Sequence, residues 1–294
     1  MKSKRTIRIS ENQRYLNIGC GRRYHSDWVN LDLESSDPNV IRHDITKGVP
    51  FEESQFDAVY HSHVLEHLRP QQGIELITEC SRVLKPGGVL RIVVPDLERI
   101  AHLYLETHER AWSGDQPASI DYDWMKLELL DQLVRDHSGG QMGRYMASRK
   151  IKNSEFVKSR VGDELLICQD AAKLERAEQT MFQRLVASTF EFRKRMVRRV
   201  VRWTLGRSAE SAFDEGMFRS QGEIHRWMYD RFSLREICQN AGLVNFKVCA
   251  ANESRIERYT SFELDSASSG VRKPDSIFVE CEKPREIAAG KKAA

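Results

Sequence analysis

Between residues 61 and 67 the chain reads His-Ser-His-Val-Leu-Glu-His, three imidazoles and one carboxylate within seven positions. Such a cluster can hold a divalent metal, supply a general base that titrates near neutrality, or be only the polar end of a buried strand. A second constellation lies upstream, where Leu16-Asn17-Ile18-Gly19-Cys20-Gly21 is a short apolar run closed by glycines. Lacking Cβ atoms, Gly19 and Gly21 let the backbone turn sharply and approach a ligand closely. Asp32, ending the next apolar run, is placed to accept hydrogen bonds from both hydroxyls of a ribose. Asp44, ending a third run, can receive an adenine amino group. The glycine pattern falls short of a dinucleotide fingerprint, because Arg23 stands where the third glycine belongs.

These residues need a framework that brings them to one edge. Residues 14–21, 28–34, 39–45, 56–62 and 89–96 read as five strands, the first and last rich in buried-type apolar residues. Residues 71–84 carry apolar side chains at helical spacing and stop at Lys85-Pro86-Gly87-Gly88, which predicts an amphipathic helix. Strands alternating with crossovers imply a parallel α/β sheet. From about residue 111 to 222 the strand signal fades. Helices are expected there over 121–137 and, as one long candidate, over 171–206. The α/β pattern resumes with a capped helix at 230–243 and strands at 244–251 and 275–283. The expected organisation is therefore one α/β domain, residues 1–110 with 223–284, interrupted by a helical insertion at 111–222, with a disordered tail at 285–294.

Composition narrows the class. With 46 Lys+Arg against 43 Asp+Glu, a net +3, the 294-residue chain does not suit nucleic-acid binding over its whole surface. Six cysteines without a C-x-x-C pair point to reduced thiols rather than a disulfide framework or a zinc ribbon. The basic start leads into no apolar segment of the kind a secretory signal needs, and no stretch is long and apolar enough to span a bilayer. A cytoplasmic protein is expected, with contact at the inner membrane surface as a variant.

Taken in order, Leu16–Gly21, Asp32, His43-Asp44-Ile45, Val49–Leu68 and Glu79–Asp96 resemble the class I S-adenosylmethionine-dependent methyltransferases, in the methyltransferase type 11-like branch. The resemblance implies a Rossmann-like, seven-stranded, mostly parallel sheet with its last strand antiparallel, and S-adenosyl-L-methionine as cofactor. By position, Asn17, Gly19, Cys20 and Gly21 would line its methionine portion, and Asp32 with Leu33 would hold the ribose. Asp44 and Ile45 would flank the adenine, and His61 and Ser62 would lie beside the sulfonium. Two departures stand out. Asn17 replaces the usual acid, so the cofactor's amino group would meet an amide. Only Arg22 to Asp27 separate Gly21 from Trp28, where a parallel crossover normally needs about a dozen residues, so the first helix must be vestigial. Pyrophosphate would miss that helix terminus, whereas S-adenosylmethionine carries no phosphate; the short crossover thus argues against a nicotinamide dinucleotide.

In this frame His63 and His67 are candidate general bases for an acceptor hydroxyl. A hydrolase H-x-H-x-D-H motif is off by one residue. A metal reading stays open, since some methyltransferases hold a divalent cation with E-x-x-E-H here; His63, Glu66 and His67 would be its ligands, with His102 or His225 completing the shell. A metal-free site is expected. Asp96, His225, Tyr229 and Asp230 are further pocket candidates. The absence of an N-P-P-Y motif and of a Pro-Cys nucleophile disfavours exocyclic nitrogen and cytosine C5 chemistry.

The expected activity is methyl transfer to a hydroxyl of a small-molecule or saccharide acceptor. The alternatives are methylation of RNA or another macromolecule, with or without metal assistance, and a non-catalytic S-adenosylmethionine-binding protein. Residues 191–207 hold seven Lys/Arg against one acid, interleaved with apolar side chains. They read as a basic amphipathic helix for a peripheral membrane or an acidic polymer, or as a packed helix with a solvated face. The insertion is expected to serve as a lid, for substrate recognition, or as a homodimer interface.

Overall fold

The computed structural model describes residues 14–148, 150–177, 195–268 and 270–285. Its centre is a seven-stranded sheet of β1 (Tyr15–Ile18), β2 (Trp28–Asp32), β3 (Val40–Arg42), β4 (Phe56–Ser62), β5 (Leu84–Pro95), β6 (Val244–Cys249) and β7 (Ser276–Glu282). The order across the sheet is β3-β2-β1-β4-β5-β7-β6. β1 to β5 pair in parallel, and β7 runs antiparallel between β5 and β6. This is the Rossmann-like α/β architecture expected from the sequence. It also explains the burial: β1, β4 and β5 lie inside the sheet and are buried over most of their length, whereas the edge strand β6 exposes most of its residues.

Helix α1 (Pro70–Val83) starts at a proline in its first turn and buries Leu76, Ile77, Cys80 and Val83 against one face of the sheet. The opposite face packs Trp28, Tyr60, Val93 and Phe278 against Tyr259 and Phe262. Lys85-Pro86-Gly87-Gly88 does more than stop α1. It enters β5 as an irregular stretch, with the register shifting between Phe56 and Ala58, so β5 begins five residues earlier than the apolar run suggests. Gly88 is needed there, because a Cβ would sit 2.9 Å from the Lys85 carbonyl oxygen and 3.1 Å from that of Asp57. Helix α9 (Arg231–Asn240) opens with a capping box between Asp230 and Ser233.

The chain divides into two compact units, residues up to Arg99 with those from Arg226 onward, and Ile100–His225. The first boundary thus falls inside helix α2 (Leu97–Trp112), not after it. Unit two is helical: α3 (Gln116–Val134), α4 (Gly140–Met146), α5 (Ser154–Val161), α6 (Glu164–Ala177), α7 over 195–205, and α8 (Arg207–Ser220). The long helix expected over 171–206 is described only up to 177 and from 195; Glu191, Phe192, Arg193 and Lys194 lie outside the described residues. So does most of the tail at 285–294. The buried Glu128 carboxylate holds α3 to α5, accepting from Arg160 at 2.6 Å and from Trp124 Nε1 at 2.8 Å. Among the described residues no helix is long and apolar enough to cross a membrane.

Candidate functional site

The parallel strands all release their chains at one edge, where open α/β sheets bind ligands. β1 ends at Ile18 and passes into Gly19-Cys20-Gly21. Both glycines adopt left-handed backbone, with φ of 66° and 54°. At Gly19 a Cβ would lie 2.3 Å from Val64 Cγ2, so the turn and the segment after β4 touch through a missing side chain. At Gly21 a Cβ would meet nothing within 4 Å. One glycine is required by close packing and the other faces open space.

No helix follows. The connection to β2 is a string of turns, held by Asn17 and Asn30. Buried Asn17 donates from Nδ2 to the Arg23 carbonyl at 3.2 Å and to Asn30 Oδ1 at 3.3 Å. Asn30 donates in turn to the carbonyls of His25 and Trp28. In this structure the Asn17 amide thus replaces the missing helix as the tether of the short crossover.

Asp32 closes β2 and orders the turn: Gly21 N–H donates to Oδ2 at 2.7 Å and Glu34 N–H to Oδ1 at 3.2 Å. Each oxygen accepts one backbone proton and keeps capacity for another, which is what a ribose diol requires. Leu33 beside it is 54% exposed, an apolar surface at the same edge. Asp44 caps the short turn Ile45–Lys47, accepting from Thr46 N–H and Oγ1 and pairing with Lys47; the Thr46 hydrogen bond leads in holding its carboxyl below the usual range. Cys20 is buried and its thiol is pushed up to about 12, first by burial and then by Asp32, so it packs as a neutral group.

The histidine cluster follows β4. His61 lies in the strand, fully buried, and neither ring nitrogen has a partner among the described residues. Burial drives its pKa down to about 4 despite the opposing charge of Glu66. A neutral imidazole with no exposed surface therefore occupies the position expected beside the sulfonium. Ser62, half-buried, ends the strand.

His63 takes a left-handed φ of 53°, rare for a residue with a side chain. Its N–H donates to the Val93 carbonyl at 2.9 Å, and its ring is gripped on both sides: Nδ1 lies 3.0 Å from Glu66 Oε1 and Nε2 2.9 Å from Ser276 Oγ. The helical turn expected to join His63 and Glu66 is a short 3-10 turn, Leu65–His67, with His63 outside it. The ring thus bridges the buried Glu66 carboxyl and the Ser276 hydroxyl, and the tautomer decides which nitrogen donates. His67 ends the turn, half-buried, with its N–H on the Val64 carbonyl.

The 226–230 segment reaches the same edge. Arg226 and Trp227 donate their N–H groups to the Glu66 carbonyl at 2.7 and 3.2 Å, and Tyr229 accepts from Leu97 N–H at 3.1 Å. Tyr229 is buried with its hydroxyl against Gly73 of α1, where a Cβ would come within 2.7 Å of it. Burial, with Glu66 nearby, raises its pKa to about 12. Asp96 caps α2 through Arg99 N–H, and Asp230 caps α9. His225 and His102 belong to the second unit.

Ser276, Asp275 and Gly73 escaped the reading of the sequence. The signal was available for Ser276: an antiparallel last strand must begin where the parallel strands end, and Ser276 pairs with Pro95. A cavity lined by Arg14, Tyr15, Asp27, Arg258 and Phe262 sits at the amino ends of β1 and β2, the wrong end for a ligand in such a sheet.

The methyltransferase-domain family matches residues 21–92, the stretch from the glycine turn to β5. Over these residues the chain is similar to methyltransferase domains, and its strand order is that of a Rossmann-like α/β sheet. A curated relative, a probable S-adenosylmethionine-dependent methyltransferase of Mycolicibacterium smegmatis, is 32% identical over 98 residues, covering 28% of this chain and 37% of that protein. The match thus spans little more than a third of that relative. Among solved structures, a SAM-dependent methyltransferase from Archaeoglobus fulgidus aligns over 92% of this chain and 86% of its own, at 13% identity and a TM-score of 0.35. A Haemonchus contortus phosphoethanolamine N-methyltransferase 2, in complex with S-adenosyl-L-methionine, covers 96% and 51% at 13% identity, also with a TM-score of 0.35. Scores this low carry no argument about this chain, whose fold follows from its own strand order.

The matched stretch has residues that fit S-adenosylmethionine. Gly21 opens onto free space beside an Asp32 carboxylate with unused acceptor capacity, at the carboxyl edge of the sheet.

Proposed function

We propose that the whole chain transfers a methyl group from S-adenosylmethionine to a hydroxyl of a small-molecule or saccharide acceptor. Bound, the cofactor would supply a methyl on a cationic sulfur, already activated for in-line displacement. The Gly19–Gly21 backbone would hold the methionine portion, Asp32 and Leu33 the ribose side, and Asp44 and Ile45 the adenine side. The protein's remaining tasks are to orient the acceptor and take its proton.

One observation supports the reading: the His63 ring is held between Glu66 and Ser276, one residue before the Val64 that packs on Gly19. In this reading His63 would act as the base beside the turn that would hold the cofactor. Ser276 occupies Nε2 with a hydroxyl, the group an alcohol acceptor would present in its place. His67, two residues from Leu65 in the same turn, is the second candidate base.

The test is turnover with isotopically labelled S-adenosylmethionine and a panel of hydroxylated acceptors. His63→Ala is expected to lower turnover by about 10²–10⁴-fold, and His67→Ala by less, while cofactor affinity stays near wild type. Wild-type rates from both variants would remove them as bases. Chelation with EDTA is expected to leave turnover unchanged; its loss and recovery with a divalent ion would transfer the role to a metal.

A further inference from the structure

The second unit carries a basic and apolar surface on helix α7. Over 195–205 helix α7 holds Arg195, Arg198, Arg199 and Arg202, and no acid occurs from Arg195 through Ala209. Arg198 reaches Asp214 of α8 at 2.8 Å and Glu210 at 3.6 Å, and Arg202 reaches Glu210 at 3.7 Å. These ion pairs fix which side of α7 faces α8. With about 100° between successive residues and Arg198 at the origin, Trp203, Met196 and Val200 lie about 140°, 160° and 200° around the helix. Thr204 and Val197 continue the stripe to about 260°, while Arg202, Arg195 and Arg199 occupy one flank between about 40° and 100°.

The stripe is exposed. Trp203 is 87% accessible, Val200 56%, and Met196 and Val197 46% each. A helix that packed its apolar side inward would show the reverse. Trp203, Met196 and Val200 point away from the side that pairs with α8, while Leu205, 73% exposed, lies at about 340° beside Arg198; Arg195 and Arg199, with no ion pair among the described residues, border the stripe. Trp203 has an amphipathic ring suited to the headgroup boundary, and arginines on the flank suit lipid phosphates.

We propose that α7 is a membrane-surface helix. It would lie in the plane of an anionic bilayer, with Met196, Val200 and Trp203 entering the acyl boundary and Arg195 and Arg199 meeting phosphates. An acidic polymer such as RNA would use the arginines but leave the aliphatic stripe in water, so the lipid surface accounts for more of what is seen.

The experiment is flotation of the full chain with vesicles of phosphatidylcholine alone and of phosphatidylcholine with phosphatidylglycerol. The chain is expected to float with the anionic vesicles and to stay behind with the neutral ones. Replacing Arg195 and Arg199 by glutamine should weaken partitioning by about fivefold for each charge. Trp203→Ser should weaken it by about tenfold, with the loss persisting at raised salt where the arginine effect fades. Both are surface changes, and circular dichroism checks that the fold survives them. No flotation with either vesicle would overturn the proposal, as would equal flotation with both or wild-type flotation of Trp203→Ser. Retention on an RNA homopolymer without vesicle binding would assign the surface to nucleic acid. Self-association abolished by Trp203→Ser, without vesicle binding, would assign it to a second copy of the chain.

Discussion

His61 and His63 are two residues apart and do opposite things. His61 is sealed in the sheet, and its unfolded-state pKa near 6.5 falls to about 4 when folded. The unfolded chain binds the extra proton between those values, so this group's contribution is complete above pH 6.5 and is lost as pH falls toward 4. The loss approaches about 3 kcal/mol. His61→Leu removes the titrating group, so denaturant melts should show the variant gaining on wild type as pH drops through that window. A constant difference would mean the imidazole is hydrated or paired when folded. His63, by contrast, has both ring nitrogens in contact, Nδ1 with Glu66 and Nε2 with Ser276. The heptad alone displayed the residues but not their division of labour, since partnering with Ser276 spans 213 positions. The left-handed glycine turn and Asp32 at the end of β2 were legible as positions, because local pattern reveals turns and strand ends.

At the scale of elements, the glycine turn and the β1–β2 connection decide whether the site exists. Gly19→Ala places a methyl in Val64 and forces a left-handed alanine, which should destabilise the protein by about 1–3 kcal/mol. Gly19→Ala combined with Val64→Ala should recover part of that, because only the clash is relieved. Full recovery in a denaturant melt would show that the φ of Gly19 carries no strain. Gly21→Ala, with space for its methyl, should cost less stability. The absent first helix was readable from six intervening residues, but not its replacement, since an asparagine in a strand gives no sign of reaching across to Arg23. The extension of β5 back to Leu84 was hidden for a similar reason: Pro86 and the glycines read as punctuation, whereas their backbone still bonds to Lys283.

At the scale of the molecule, one buried cation joins the far half of the sheet. Arg91 of β5 has no exposed surface and contacts Asp265 at 2.7 Å and Glu280 of β7 at 2.9 Å. Its guanidinium also donates to the carbonyls of Ala250, Ala251 and Glu253 and lies 4.5 Å from the ring centre of Tyr259. Arg91→Met would strand two buried carboxylates, and thermal or denaturant unfolding should show a loss of about 3–5 kcal/mol. Loss under about 1 kcal/mol would mean that the pair relaxes into solvent. A lone arginine within Val89–Val94 announced none of this, because its partners come from segments about 160 to 190 residues away. Strand and helix periods differ sharply along the chain, but helix α2 spans the position at which the two units divide.

The central claim is that the carboxyl edge of β1 and β2 holds the adenosyl cofactor through Gly21 and Asp32. Isothermal calorimetry with S-adenosylhomocysteine tests it most directly, on the wild type and on Asp32→Ala after thermal melts confirm that the variant folds. The account predicts saturable binding by the wild type and at least about tenfold weaker binding by the variant, the loss of a charge-assisted pair to a ribose. No heat from the wild type, or equal affinity in the two proteins, would contradict it.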